Sequence, residues 1–185
     1  MVSSLGFMMR YSLLTSLEEI TVANELNHVL NYMTIMKHRH DMEFDLRVEV
    51  PHELLLYKMV RLTLQPLIEN AFQHAFPDGI EASQHIIITA GCSDDAFWVS
   101  VTDNGIGMTD EQLHEVAARL SYEHDHTNPS PESSLNLSGT GGIGLLNVHR
   151  RIQLVFGKSY GLRVTSAGEG AGTTIRMVMP SPPRI

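Results

Sequence analysis

The stretch Val99-Ser-Val-Thr-Asp103-Asn104-Gly105-Ile106-Gly107-Met108 constrains this chain more than any other, because an alternating apolar run leads straight into an acid and two closely spaced glycines. A strand with that ending delivers one fixed carboxylate to a sheet edge, followed by backbone that can approach a ligand closely. Asp-x-Gly and Asn-Gly are also ordinary turn chemistry, so the stretch alone reads equally well as a turn. Its company tips the balance. Gln65-Pro-Leu-Ile-Glu69-Asn70-Ala71-Phe72-Gln73-His74 lies upstream, and Gly139-Thr-Gly-Gly-Ile-Gly144-Leu-Leu-Asn147 and Gly168-Glu-Gly-Ala-Gly172-Thr173 lie downstream. Four polar, glycine-bearing clusters in this order are hard to explain as four independent turns.

The length of 185 residues suits one domain with an appendage. An apolar fraction of 43% and a charged fraction of 18% allow a sizeable core. The net charge of -8 argues against a nucleic-acid partner, which would require a basic face. A single cysteine, Cys92, excludes an internal disulfide framework and suits a reducing compartment. No apolar run reaches the roughly 18 residues of a membrane span.

Along the chain, Leu5, Met8, Met9, Leu13 and Leu17 recur at helical spacing in an apolar opening segment. Thr21 caps a second predicted helix, with Glu25 near its positive end and Val22, Leu26, Val29, Met33 and Met36 on one stripe to about Arg39. His38 and His40 lack a third ligand at metal-binding spacing and read as surface residues. Phe44, Leu46, Val48 and Val50 alternate as a strand ended by Pro51, and the pattern then predicts a long helix from Leu54 to Phe76, broken near Pro66. Strands follow at His85 to Ala90 and Phe97 to Val101, then a short helix after Thr109, with Asp110 and Glu111 in its first turn. Residues 121 to 142 carry no periodic pattern, and loops of that length are functional lids or disordered. A helix from Ile143 to about Phe156, capped by Gly157, and strands at Gly161 to Ser166 and Thr173 to Met179 complete an α+β, two-layer sandwich. Its helices cover one face of a mixed, mostly antiparallel sheet.

The chemistry of the clusters points to a phosphate-bearing ligand. Gly139-Thr-Gly141-Gly142-Ile143-Gly144 satisfies the dinucleotide pattern G-x-G-x-x-G but follows a polar loop where that pattern needs a strand, and no phosphate-binding G-x-x-x-x-G-K-[ST] occurs. The glycines nevertheless open into a helix, whose free N–H groups and positive dipole end favour phosphate. Glu69 with Gln73, and Asn70 with His74, are i, i+4 pairs whose oxygens and nitrogens suit Mg2+ and phosphate. Asp103, an acceptor when ionised, suits an exocyclic amine, and Thr173 stands ready to support the same ring.

Taken together, the four clusters resemble the ATP-binding domain shared by gyrase, Hsp90, MutL and bacterial histidine kinases, the GHKL or Bergerat fold. They are most similar to sensor histidine kinases of the LytS/YesM type. The resemblance rests on Leu-Gln-Pro-Leu-Ile-Glu-Asn-Ala-x-x-His at 64 to 74, Asp-Asn-Gly-x-Gly-Met at 103 to 108, Gly-Ile-Gly-Leu-x-Asn-Val-x-x-Arg at 142 to 151 and Gly-x-Gly-Thr at 170 to 173. It covers about residues 10 to 180, and Arg10-Tyr-Ser with the helix Thr21 to Arg39 looks like the family's link between phosphoacceptor helix and ATPase domain. The resemblance implies a helical segment at 1–40, an ATP-binding domain at 41–180 with a lid at about 109–142, and a tail at 181–185.

It also implies roles for residues. Asn70 would hold Mg2+, with Glu69, Gln73 and His74 beside the triphosphate. Asp103 would bind the adenine amino group, Gly105, Ile106, Gly107 and Met108 would shape the adenine pocket, and Thr173 would back the ring. Gly139, Gly141, Gly142, Ile143, Gly144, Leu145 and Asn147 would wrap the phosphates from the lid. Glu69, Asn70 and His74 would take part in catalysis. Hydrolases of the gyrase type carry a glutamate base four residues before the magnesium-binding Asn, and Pro66 stands there, which favours phosphoryl transfer to a protein histidine.

The group's Pro-His-Phe-Leu-x-Asn phosphoacceptor motif does not occur. The chain therefore reads as the cytoplasmic catalytic piece of a longer, membrane-anchored bacterial sensor, a homodimer in its full form. Its partners would be ATP, a histidine phosphoacceptor and dimerisation domain and, indirectly, a response regulator. Two readings from other classes remain: a non-catalytic nucleotide-sensing module, and a GHKL hydrolase or anti-sigma-type serine kinase.

Overall fold

The computed structural model of the protein describes residues 17–40, 45–77, 83–121 and 142–181. The predicted opening helix, most of the lid, and Gly139 and Gly141 therefore lie outside the described residues. In chain order the elements are strand β1 (Glu19–Thr21), helix α1 (Val22–His40), strand β2 (Asp45–Glu49), a 3-10 turn (His52–Leu54), strand β3 (Lys58–Val60) and helix α2 (Leu64–His74). Strands β4 (His85–Cys92) and β5 (Ala96–Asp103), helices α3 (Asp110–Ser121) and α4 (Gly142–Phe156), and strands β6 (Gly161–Ser166) and β7 (Thr173–Pro180) follow.

The main sheet has five strands in the order β2-β4-β5-β7-β6. Only β2 and β4 run parallel, and the other neighbours are antiparallel, as the alternating patterns and the short β4–β5 connection require. The register stacks Val99 opposite Met177, Val101 opposite Ile175, and Leu162 opposite Met177. These residues are buried with Ile86, Ile88, Phe97 and Met179 in one cluster with Leu67 and Ile68 of α2 and Val148 and Ile152 of α4. The helices thus cover one face of the sheet, the expected α+β sandwich.

Two local devices start helices as the sequence predicts. The Asn24 N–H donates to Thr21 Oγ1 (3.2 Å) at the head of α1. At the head of α3, the Gln112 N–H donates to Thr109 Oγ1 (3.2 Å) while Gln112 Oε1 accepts the Thr109 N–H (2.9 Å), a capping box. Gly157, at φ 98°, ends α4 by donating its N–H to Gln153 O (2.8 Å).

The long helix expected over 54–76 is not formed. The chain instead makes the 3-10 turn, then β3, which pairs antiparallel with β1 and buries Met59 and Val60, and only then α2. Pairing of Lys58–Val60 with β1 overrides whatever local preference for helix this segment has. Leu62, at φ 56°, turns the chain between β3 and α2 in the left-handed region that non-glycine residues avoid. Pro66 does not break a helix; it sits in the first turn of α2, where its missing N–H costs nothing. Through β1 and the buried Val22, Leu26, Val29 and Met33, the segment before residue 40 shares the hydrophobic cluster of the sheet.

Candidate functional site

Asp103 ends β5 opposite Thr173, which begins β7, and is only 6% exposed. Its Oδ1 accepts the N–H of Gly105 (3.0 Å) and of Thr173 (3.2 Å), so the carboxylate is held in one orientation. Burial pushes its pKa above the ordinary carboxylate value, and the two N–H donors oppose that shift. Asn104 does something different: its Oδ1 accepts the His85 N–H (2.7 Å) and its Nδ2 donates to Ser83 O (3.0 Å). The Asn of the Asp-Asn-Gly sequence therefore ties the loop to the start of β4.

The loop after Asp103 lies directly on the end of α2. The Ile106 N–H donates to Ala75 O (3.0 Å), and a Cβ on Gly105 would collide with that same carbonyl. On its other side the loop is laced to the glycine-rich turn before β7. Gly170 N–H donates to Ile106 O (2.6 Å) and Gly172 N–H to Gly105 O (3.1 Å). Ser166 Oγ accepts the Met108 N–H (3.1 Å) and donates to Gly172 O (2.7 Å). Gly107, at φ 69°, presents its bare Cα to the carbonyl of Gly168. Two glycine loops are thus fused into one platform, with Ile106 52% exposed on it.

Helix α2 runs up to this platform. Glu69 and Asn70 are half-buried, whereas Gln73 and His74 are exposed on the last turn. Asn70 stands five residues before Ala75, about 7.5 Å along the axis. Glu69 does not use Gln73; its Oε1 accepts from Gln65 Nε2 (2.9 Å), one turn in the other direction. Burial, with the Glu69 carboxylate beside it, pushes the Tyr32 hydroxyl up to about 12.

Helix α4 packs beside α2, and its first turn holds Gly142, Ile143 and Gly144. Among the described residues, and apart from its chain neighbours and its own helix backbone, no atom lies within 4 Å of where a Gly144 side chain would start. Leu145 is buried (5% exposed) and Asn147 half-buried. A helix N-terminus with bare backbone is the expected seat for an anion.

Several contributors have no sequence signal of their own. Glu25, fully buried, carries its carboxylate from the first turn of α1 to the start of α2. There Oε1 accepts the N–H of Thr63 (2.8 Å) and Leu64 (2.9 Å), and Oε2 accepts that of Leu62 (3.0 Å). Arg151 of α4 donates to the carbonyls of Arg61 (2.7 Å) and Leu62 (3.2 Å) from the opposite side; burial holds it below its usual range and the facing Glu25 opposes the shift. Ser166 and Ala75 were equally invisible, since a small residue ending a strand or helix is unremarkable in a sequence.

The sequence matches the family described as histidine kinase-, DNA gyrase B- and HSP90-like ATPase over residues 57–183, and the histidine kinase family over residues 1–44. It is 33% identical over 180 residues to the sensor histidine kinase YesM of Bacillus subtilis, covering 97% of this chain and 27% of YesM. It is 30% identical over 179 residues to the sensor protein kinase HptS of Staphylococcus aureus, covering 97% of this chain and 31% of HptS. The chain therefore spans less than a third of the length of these curated relatives. Among solved structures, the mycobacterial sensor histidine kinase MprB matches with a TM-score of 0.58 at 16% identity, over 90% of this chain and 99% of that one. The catalytic domain of the histidine kinase ThkA matches with a TM-score of 0.58 at 18% identity, over 90% and 99%. At such identities the two structures speak for the fold.

Proposed function

The chain belongs to the histidine kinase-, DNA gyrase B- and HSP90-like ATPase family, and from that premise we propose that it is the ATP-binding catalytic domain of a two-component sensor histidine kinase. It transfers the γ-phosphoryl group of ATP to a histidine on a phosphoacceptor and dimerisation domain, from which a response regulator takes it. The full protein is a membrane-anchored homodimer with this domain on the cytoplasmic side; no helix among the described residues is long and apolar enough to cross a membrane.

The observation that carries the reading is the buried Asp103 carboxylate, fixed through Oδ1 by the loop N–H of Gly105 and the strand-end N–H of Thr173 beside a platform of bare glycine backbone. A fixed acceptor next to flat backbone suits the amino group of a purine, a charged-group hydrogen bond worth roughly 1.5 to 3 kcal/mol. Thr173 backs the ring, and Ile106 and Met108 flank it. Asn70 and Glu69 offer side-chain oxygens at the far side of the platform, the donor chemistry Mg2+ prefers when it retains ligand phosphates. Bound there, Mg2+ would neutralise charge on the phosphates.

The residues of this chain then position and shield the reacting group. Asp103 fixes the adenine end; Gln73 and His74 line the exposed last turn of α2; the backbone of Gly142, Ile143, Gly144 and Leu145, with Asn147, meets phosphate at the head of α4. In the transfer, the acceptor imidazole nitrogen forms a bond to the γ-phosphorus as the bond to the bridging oxygen breaks, and ADP leaves. Pro66, in the place where hydrolases carry a general base, offers no group to activate water, which supports transfer over hydrolysis.

The test is incubation of the chain with γ-labelled ATP, Mg2+ and a separately supplied phosphoacceptor domain. Acid-labile label on the acceptor histidine supports the reading. Phosphate release without labelled acceptor identifies a hydrolase, and saturable ATP binding with neither outcome identifies a sensing module.

A further inference from the structure

The turn between β3 and α2 is held from two sides by charged side chains of two other helices. Leu62, in the left-handed region at φ 56°, donates its N–H to Glu25 Oε2 of α1 (3.0 Å), and its carbonyl accepts from Arg151 Nη1 of α4 (3.2 Å). On either side of it, the Thr63 and Leu64 N–H groups donate to Glu25 Oε1 (2.8 and 2.9 Å), and the Arg61 carbonyl accepts from Arg151 Nη2 (2.7 Å). Glu25 thus takes the donors at the head of α2, and the planar guanidinium fork of Arg151 takes the carbonyls that lead into it. A backbone conformation that non-glycine residues avoid persists where its surroundings over-determine it, and such positions gather at functional sites.

This joint lies a short way from both of the ends that face phosphate. Along α2, Leu64 stands six residues before Asn70, about 9 Å on the axis, and along α4 Arg151 stands seven after Gly144, about 10.5 Å. Gly144, Val148 and Arg151, four and three residues apart, share one stripe of α4, which packs beside α2. Apolar packing alone tolerates small slides of one helix along another, whereas two directional bonds from one rigid fork do not. We infer that Arg151 is a positioning residue: by pinning α4 to the turn that begins α2, it sets the spacing between the head of α4 and Asn70. The inference rests on the proposed placement of the phosphates between these two elements.

The test is calorimetric titration of the whole chain with Mg2+-ATP and with adenosine, which carries no phosphate, for wild type, Arg151→Lys and Arg150→Lys, with melting temperatures for each. Arg151→Lys keeps the cation but not the fork, and Arg150→Lys makes the same change at an exposed neighbour on the same helix. Wild type should bind Mg2+-ATP more tightly than adenosine. Arg151→Lys should hold its adenosine affinity while losing about threefold or more of that gain, and Arg150→Lys should keep both. If Arg151→Lys keeps the gain, the inference fails while the site assignment stands. If it loses adenosine affinity in step with Mg2+-ATP affinity, or does not fold, the side chain is merely structural and the inference fails. An equal loss of the gain in Arg150→Lys would also overturn it, since the effect would not belong to the fork. If wild type gains nothing from the phosphates, their placement fails and the inference falls with it.

Discussion

Thr173 and Asp103 face each other across neighbouring strands, and the Thr173 backbone N–H donates to Asp103 Oδ1 at 3.2 Å. Two segments seventy residues apart therefore hold one carboxylate, and neither strand end could fix it alone. The glycines on either side let the loops close around that pair, which makes them the most sensitive backbone in the site.

Gly105→Ala and Gly172→Ala should each lower stability by about 1 to 3 kcal/mol in urea denaturation and weaken ATP binding. The first would drive a methyl group into Ala75 O; the second would strain a φ of 70° and strike Asp103 O. Gly144→Ala meets nothing within 4 Å and should leave stability unchanged or raise it by up to ~1 kcal/mol.

Glu25→Ala should cost about 3 to 5 kcal/mol of stability by the same measurement, because it strands two buried N–H groups and a part-buried one and leaves Arg151 without its facing carboxylate. Glu25→Gln, which retains one acceptor oxygen, should cost less. Equal stability of Glu25→Ala and wild type would show that the strained turn at Leu62 does not depend on this carboxylate.

His149 gives the fold a pH dependence. Its Nδ1 accepts the Leu162 N–H (2.9 Å), docking α4 on β6, and burial depresses its pKa below the ordinary 6.5. The unfolded chain thus takes up a proton at a pH where folded His149 does not. Stability is complete above 6.5 and is lost as pH falls from there through the folded value. Melting temperatures across pH 5 to 8 should show that decline in wild type and a shallower one in His149→Asn.

Much of this was legible in the sequence because strand alternation, caps and glycine clusters act locally. The helix start after Thr109, the cap at Thr21, the strands carrying Asp103 and Thr173, and the α+β class all follow from neighbours in the chain. What stayed hidden is what depends on distant partners. The helix expected over 54–76 gave way to β3 because β1 supplies a pairing partner that no local window contains. Glu25 reads as a dipole-friendly residue of its own helix, yet its carboxylate caps another helix 38 residues on. Asn104 shares a motif with Asp103, yet serves the loop; nothing short of the His85 and Ser83 contacts separates the two roles.

The account turns on Asp103 as the acceptor for adenine, and calorimetric titration of ATP with Mg2+ into the wild-type chain and into Asp103→Asn tests it most directly. Saturable binding by wild type, with at least a tenfold loss in a folded Asp103→Asn, is the result expected from removing a charged acceptor. Equal affinity in the two proteins would place the purine elsewhere and contradict the account.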